Sequence, residues 1–178
     1  MGGEGMSMLK RSAVGLVLLA CGGTMLPAFT GSAHAANLAV PIRSAASGKC
    51  LDADANFLRF NGDRVQLWDC NGGDNQQWRP LPNRDNQGTI RLENAADGKV
   101  LDADANGIWN NGDKVQLWDW TGAGEQRWFM EYNPSTNAYR FRNLVDNKYL
   151  DADANQVWNN GGRVQVWDGW GGANQIWY

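Results

Sequence analysis

Three short stretches place an amide beside an indole: Val65-Gln66-Leu67-Trp68, Val115-Gln116-Leu117-Trp118 and Val164-Gln165-Val166-Trp167. Side chains alternate faces along an extended strand. In each stretch the two aliphatic residues therefore share one face, and Gln and Trp share the other. The aliphatic face belongs in a core, which leaves the amide and indole near the outside. An indole plane can stack on the C–H face of a sugar ring, and a neighbouring amide or carboxylate can hold its hydroxyls. Asp52, Asp102 and Asp151 supply the carboxylates. The alternative use of these residues is architectural, with Trp covering a barrel wall and Asp capping turns. One copy would favour that alternative; three copies in register favour binding.

The stretches belong to a longer phrase written three times, Leu51–Trp78, Leu101–Trp128 and Leu150–Trp177, at offsets of 50 and 49 residues. A fixed period of this size signals a repeat architecture. Each phrase opens on Leu-Asp-Ala-Asp-Ala-Asn and turns at Asn-Gly (Asn61-Gly62, Asn111-Gly112, Asn160-Gly161). It then runs through the Val-Gln-x-Trp strand and closes on Gln-x-Trp. An extended piece with one apolar anchor precedes each phrase: Ile42, Leu92 or Phe141. Short strands separated by turn signals, with no helical period, read as all-β. Four strands per repeat, three times over, predict a β-trefoil with pseudo-threefold symmetry. The repeats span about 38–83, 88–133 and 138–178. One repeat of this size cannot bury its own apolar face, so the three should fold as one unit.

The chain has 178 residues, a length that suggests one domain. Its net charge of -3 and lack of like-charge runs argue against a nucleic-acid partner. Lys10 and Arg11, the apolar run Ala13–Ala20, and Ala33-His34-Ala35 read as a secretory signal peptide over residues 1–35. The run falls short of the roughly 18 residues of a membrane-spanning helix. Lipidation at Cys21 is a minority alternative. Cleavage would leave residues 36–178, extracellular and with no membrane association, and we expect a monomer. The only histidine, His34, would be lost, and with it the commonest general base and metal ligand. Cys50 and Cys70 remain, and an even count in an exported chain reads as a disulfide. Closing a loop of about 20 residues contributes roughly 3 kcal/mol. The matching pairs are Val100 with Trp120 and Tyr149 with Gly169, so two repeats must hold by packing alone.

Cys50-Leu51-Asp52, Val65-Gln66-Leu67-Trp68-Asp69-Cys70 and Asn75-Gln76-Gln77-Trp78 resemble the ricin B-type lectin repeat. This family is also known as the R-type lectins or family 13 carbohydrate-binding modules. The resemblance covers essentially all of residues 36–178. It implies a β-trefoil that binds galactose- or xylose-type sugars, or polysaccharide, at up to three shallow sites, without converting them and without a cofactor. Carried over by motif, the first site is Asp52, Gln66, Trp68 and Asn75, and the third is Asp151, Gln165, Trp167 and Asn174. The second is Asp102, Gln116 and Trp118, with Glu125 where the Asn belongs. An ionised Glu accepts hydrogen bonds but cannot donate, so this site is expected to be weaker, altered or dead. Gln76, Gln126 and Gln175 are expected to support the sites from behind, and the Trp of each Gln-x-Trp to fill the core. Trp109, Trp120, Trp158 and Trp170 exceed what a minimal lectin needs. They either extend the binding face or fix loops.

Asp102-Ala103-Asp104-Ala105-Asn106-Gly107 with Asp113 resembles a calcium loop. Asp52, Asp54, Asn56 and Asp63 nearly match it, but Phe57 replaces the glycine, and the third copy ends on Gly162. No helices flank these loops, so we read Asp54, Asp104 and Asp153 as turn residues and expect no metal. Two other functions compete with glycan binding. A trefoil can bind a protein partner through one loop, as an inhibitor does. Paired carboxylates can make a glycosidase, but here the acids recur in every repeat, whereas a catalytic centre normally breaks the symmetry.

Overall fold

The computed structural model describes residues 38–178; the expected leader, residues 1–35, lies outside the described residues. Eleven strands form, all paired antiparallel: β1 (Val40–Pro41), β2 (Cys50–Ala53), β3 (Asp63–Trp68), β4 (Gln77–Pro82), β5 (Ile90–Asn94), β6 (Val100–Ala103), β7 (Asp113–Trp118), β8 (Trp128–Asn133), β9 (Ala138–Asn143), β10 (Tyr149–Ala152) and β11 (Gly162–Trp167). Helical geometry among the described residues is limited to three 3-10 turns, Asp74–Gln76, Gly124–Gln126 and Ala173–Gln175. The first two repeats each carry four strands. In the third, the fourth position is held by isolated bridges from Trp177 to Ser44 and Tyr139 instead of a ladder.

The strands divide into a barrel and a set of hairpins. β1 pairs with β4, β4 with β5, β5 with β8, and β8 with β9. The Trp177 bridges and the paired backbone bonds of Arg43 with Tyr178 return the ring to β1. Closing the sheet removes the open edges that would otherwise invite pairing with other chains. The hairpins β2–β3, β6–β7 and β10–β11 branch from this ring through single-residue pairings, Cys50 with Arg43, Val100 with Glu93 and Tyr149 with Arg142. Their second strands pair with one another in all three combinations, β3 with β7, β7 with β11 and β11 with β3.

The alternation read from sequence explains what each strand buries. Leu51, Leu67, Leu101, Leu117, Leu150 and Val166 are fully buried. Trp78, Trp128 and Trp177 sit among them with no exposed surface. A buried indole N–H needs an acceptor, and each finds the carbonyl of the leucine that opens its own repeat: Leu51 at 2.9 Å, Leu101 at 3.1 Å and Leu150 at 3.1 Å. The last strand of a repeat is thereby tied to its first hairpin.

Cys50 and Cys70 form the disulfide, with Cα atoms 5.2 Å apart. The third repeat solves the same packing problem differently. A Cβ on Gly169 would lie 2.5 Å from the Tyr149 ring, so only glycine leaves room for that ring. The Arg140 guanidinium covers the ring at 3.6 Å from its centroid.

Candidate carbohydrate-binding clefts

Strand pairing brings each carboxylate to its amide. In β2–β3, Asp52 lies opposite Gln66; in β6–β7, Asp102 opposite Gln116; in β10–β11, Asp151 opposite Gln165. The glutamine Nε2 donates to the carboxylate Oδ1 at 3.0, 2.9 and 3.0 Å respectively. The 3-10 turn before each Gln-x-Trp delivers the remaining donors. Asn75 Nδ2 and Gln76 Nε2 reach Asp52 Oδ2 at 2.9 and 2.8 Å. Asn174 and Gln175 reach Asp151 Oδ2 at 2.7 and 3.0 Å. The second amide of each turn also donates to the backbone carbonyl after the strand tryptophan, at Asp69, Asp119 or Asp168.

The strand face is more divided than alternation alone suggests. Gln66, Gln116 and Gln165 are each only 4% exposed, whereas Trp68 and Trp167 are 39% and 38% exposed. Trp118 is half-buried. The amide therefore lies beneath the surface and orients the carboxylate, while the indole forms the open wall. Clefts of about 500, 310 and 680 Å³ lie over Asp52, Asp102 and Asp151.

The second cleft is the smallest and the least balanced electrically. Asp102 keeps the Gln116 bond, but Glu125 offers it no donor. Burial pushes all three carboxylates above the ordinary range, with hydrogen bonds from the amides opposing that shift. At Asp102 the nearby Glu125 charge adds to the upward push. Burial disfavours the ionised form of an acid, and a like charge does so again.

Each cleft is completed by a neighbouring repeat, a feature that sequence reasoning missed. Asn160 and Gly161 of the third repeat line the first cleft, Gly62 of the first lines the second, and Asn111 and Gly112 of the second line the third. The cause is the Asn-Gly turn. Gly161 N donates to Leu67 O, Gly62 N to Leu117 O, and Gly112 N to Val166 O, at 2.8, 2.8 and 2.9 Å. Gly112 has φ +87°, and a Cβ there would stand 3.4 Å from the Trp167 ring. The preceding asparagine closes a clamp. Lys49 Nζ contacts Asp69 at 2.5 Å and Asn160 Oδ1 at 2.8 Å, while Asn160 Nδ2 donates to Asp69. Lys99, Asp119 and Asn61 repeat this clamp, as do Lys148, Asp168 and Asn111. The lysine bond holds each of these aspartates below the usual carboxylate range. The regular Lys (Gly48-Lys49, Gly98-Lys99, Asn147-Lys148), Trp-Asp and Asn-Gly positions in the sequence were the available signal. Their pairing across repeats was not legible without the register.

The additional aromatics separate by role. Trp170 lines the third cleft and lies so close to Gly172 that a Cβ there would be 2.1 Å from the ring. Arg91 covers Trp120 at 5.1 Å. Trp109 and Trp158 stand exposed on the long hairpin loops. Asp54 Oδ1 accepts from the backbone and side-chain nitrogens of Asn56 at 3.1 and 2.8 Å, and Asp104 and Asp153 treat Asn106 and Asn155 alike. These are Asx turns that organise the cleft rims.

The family model described as the ricin-type beta-trefoil lectin domain matches residues 38–177. The fold is similar to a designed threefold-symmetric protein, ThreeFoil, at 28% identity and TM-score 0.70, covering 77% of this chain and 94% of that one. It is also similar to the Macrolepiota procera ricin B-like lectin solved with lactose (20% identity, TM-score 0.66, 80% and 94% covered). An exo-β-1,3-galactanase from Clostridium thermocellum is similar over only 29% of its own length (24% identity, TM-score 0.71, 79% of this chain covered). A search of curated proteins returned no match. A family match across nearly all of the described residues, on a closed antiparallel barrel with three hairpins, establishes that the chain belongs to the ricin-type β-trefoil lectin domain family.

Proposed function

We propose that the protein is a secreted, non-catalytic lectin that binds galactose- or xylose-type sugars, or a polysaccharide containing them. Its three repeats, set about a pseudo-threefold axis, carry up to three shallow sites. The observation that carries this reading is the buried carboxylate under an exposed indole. Asp52 and Asp151 each have three side-chain donors fixing their oxygens. A carboxylate held this way is a preset acceptor for sugar hydroxyls, and the tryptophan supplies the stacking plane. The first and third sites are the working ones, and the second is weaker because Glu125 replaces the amide donor.

More than one carboxylate lines each cleft, but Asp52, Asp102 and Asp151 hold the same place and the same glutamine partner in every repeat, whereas a catalytic centre normally breaks the symmetry. A binding function accounts for this arrangement, and the M. procera lectin solved with lactose supports it by similarity. Isolated shallow sites bind in the millimolar range, about -4 kcal/mol. The test is a screen of the protein against galactans, xylans and their monosaccharides. Saturable binding to a polymer, without release of reducing ends, is expected. Release of reducing ends from any polymer would replace this reading with an enzymatic one.

A further inference from the structure

Three residues past its strand tryptophan, each repeat sends one further side chain into its cleft, and that side chain differs in all three. It is Asn71 in the first cleft, Thr121 in the second and Trp170 in the third. The backbone is held alike each time: the N–H donates to the side-chain oxygen of Gln76, Gln126 or Gln175 at 2.8, 2.8 and 3.2 Å. The fold therefore presents one variable side chain at an equivalent point of every cleft. Only the third cleft receives a second indole there.

Trp170 is 64% exposed, against 38% for Trp167 in the same cleft, yet it is seated. Its six-membered ring lies against Gly172, where a Cβ would collide with it. The loop backbone thus fixes the indole while most of its surface stays open. Burial pushes Asp151 up, and the Trp170 side chain joins the amides in opposing that push, which places it beside the carboxylate. The second cleft has no room for the same arrangement, because Ala123 stands at the position of Gly172 and carries the methyl that the ring excludes. The first cleft keeps a glycine there, Gly73, but offers Asn71 in place of an indole. The third cleft is also the largest, about 680 Å³ against about 500 and 310 Å³. Two open aromatic surfaces beside one carboxylate provide places for two rings, and each ring stacked there buries apolar surface.

We propose that the third cleft binds two consecutive sugar residues of a glycan, the first held by Asp151 and Trp167 and the next stacked on Trp170. Trp170 is then the residue that makes this cleft prefer an oligosaccharide over a monosaccharide. The first cleft, with Asn71 at that point, takes a single residue. This inference rests on the carbohydrate-binding reading.

The test isolates the third cleft in a Trp68→Ala background and follows the Asn174 side-chain amide, a reporter inside that cleft, by nuclear magnetic resonance. Xylose is compared with xylobiose, and galactose with β-1,4-galactobiose. In the series that binds, the disaccharide should be about tenfold tighter than the monosaccharide, the gain of one more stacked ring. Trp170→Asn installs the first cleft's residue; it should remove most of that gain and leave monosaccharide affinity unchanged. Trp170→Phe keeps an aromatic plane and should retain most of the gain. Equal weakening of monosaccharide and disaccharide by Trp170→Asn would overturn the second subsite, because Trp170 would then serve the first ring. A disaccharide gain that is absent from the start, or that survives Trp170→Asn, would overturn it too. So would a Trp170→Phe variant as weak as Trp170→Asn, which would tie the effect to the loop. Failure of all four sugars to bind the protein with both tryptophans intact would instead remove the lectin reading, and this inference with it.

Discussion

Two sets of aspartates, both repeated three times, are pushed in opposite directions by their surroundings. Asp52, Asp102 and Asp151 lie under the clefts, and burial raises them above the ordinary range. Asp69, Asp119 and Asp168 sit in the clamps, and the lysine bonds lower them. Linkage gives the two sets opposite signs. The buried set favours the fold fully below the ordinary carboxylate pKa, and that contribution is lost as pH rises through the raised values. The clamp set contributes above the ordinary value and loses its contribution as pH falls through the lowered ones. On acidification the cleft carboxylates therefore take up protons first. Sugar affinity is expected to fall at a pH above the usual carboxylate range while the molecule stays folded, as parallel affinity and circular-dichroism titrations would show. Simultaneous loss of binding and structure would count against this assignment. Glu125 gives a second prediction at this scale. Glu125→Asn restores the missing donor beside Asp102 and removes a like charge. A hydrogen bond to a charged group is worth about 1.5–3 kcal/mol. Affinity at the second cleft should rise about tenfold or more, measured in a background where Trp68 and Trp167 are replaced by alanine.

The hairpins act in a ring, each lending its Asn-Gly turn to a neighbour's cleft. Asn160→Ala should weaken the first cleft several-fold and leave the third nearly unchanged, and Asn111→Ala should do the reverse. Site-resolved chemical-shift titration with a monosaccharide distinguishes the two; equal effects at both clefts would mean the turns act only on global stability. The disulfide is a separate device within the first repeat. Cys50→Ser/Cys70→Ser should cost about 3 kcal/mol, a melting point lower by roughly 10 °C, with the third repeat's Tyr149–Gly169 packing unaffected. Much of this element-level structure was legible in the sequence. Alternation in Val-Gln-x-Trp placed the core face, and the phrase period marked the three hairpins. The Asn-Gly turns were also visible as turns. What they touch was not, because side chains brought together from residues 69 and 160 leave no local signature. The burial of Gln66 and its equivalents was likewise hidden. Alternation assigns a face but not the depth of a side chain within it.

At the scale of the molecule, the clefts lie on three hairpins joined through β3, β7 and β11 into one body, whose repeats cannot be separated without exposing Trp78, Trp128 or Trp177. Several weak sites on a rigid body gain apparent affinity on a polymer by roughly 10²–10⁴ when their spacing permits simultaneous engagement. A multivalent polysaccharide should accordingly bind far more tightly than its monosaccharide, and comparable affinities would argue for a single working cleft. The central claim is that exposed indoles over preset carboxylates make the binding surface. Its most direct measurement is polysaccharide binding by the wild-type protein and by a Trp68→Ala/Trp167→Ala variant, with folding of both checked by circular dichroism. The account predicts saturable binding that is lost in the folded variant, because the first and third clefts lose their stacking walls. Undiminished binding in the folded variant would contradict it and move the interaction to another surface.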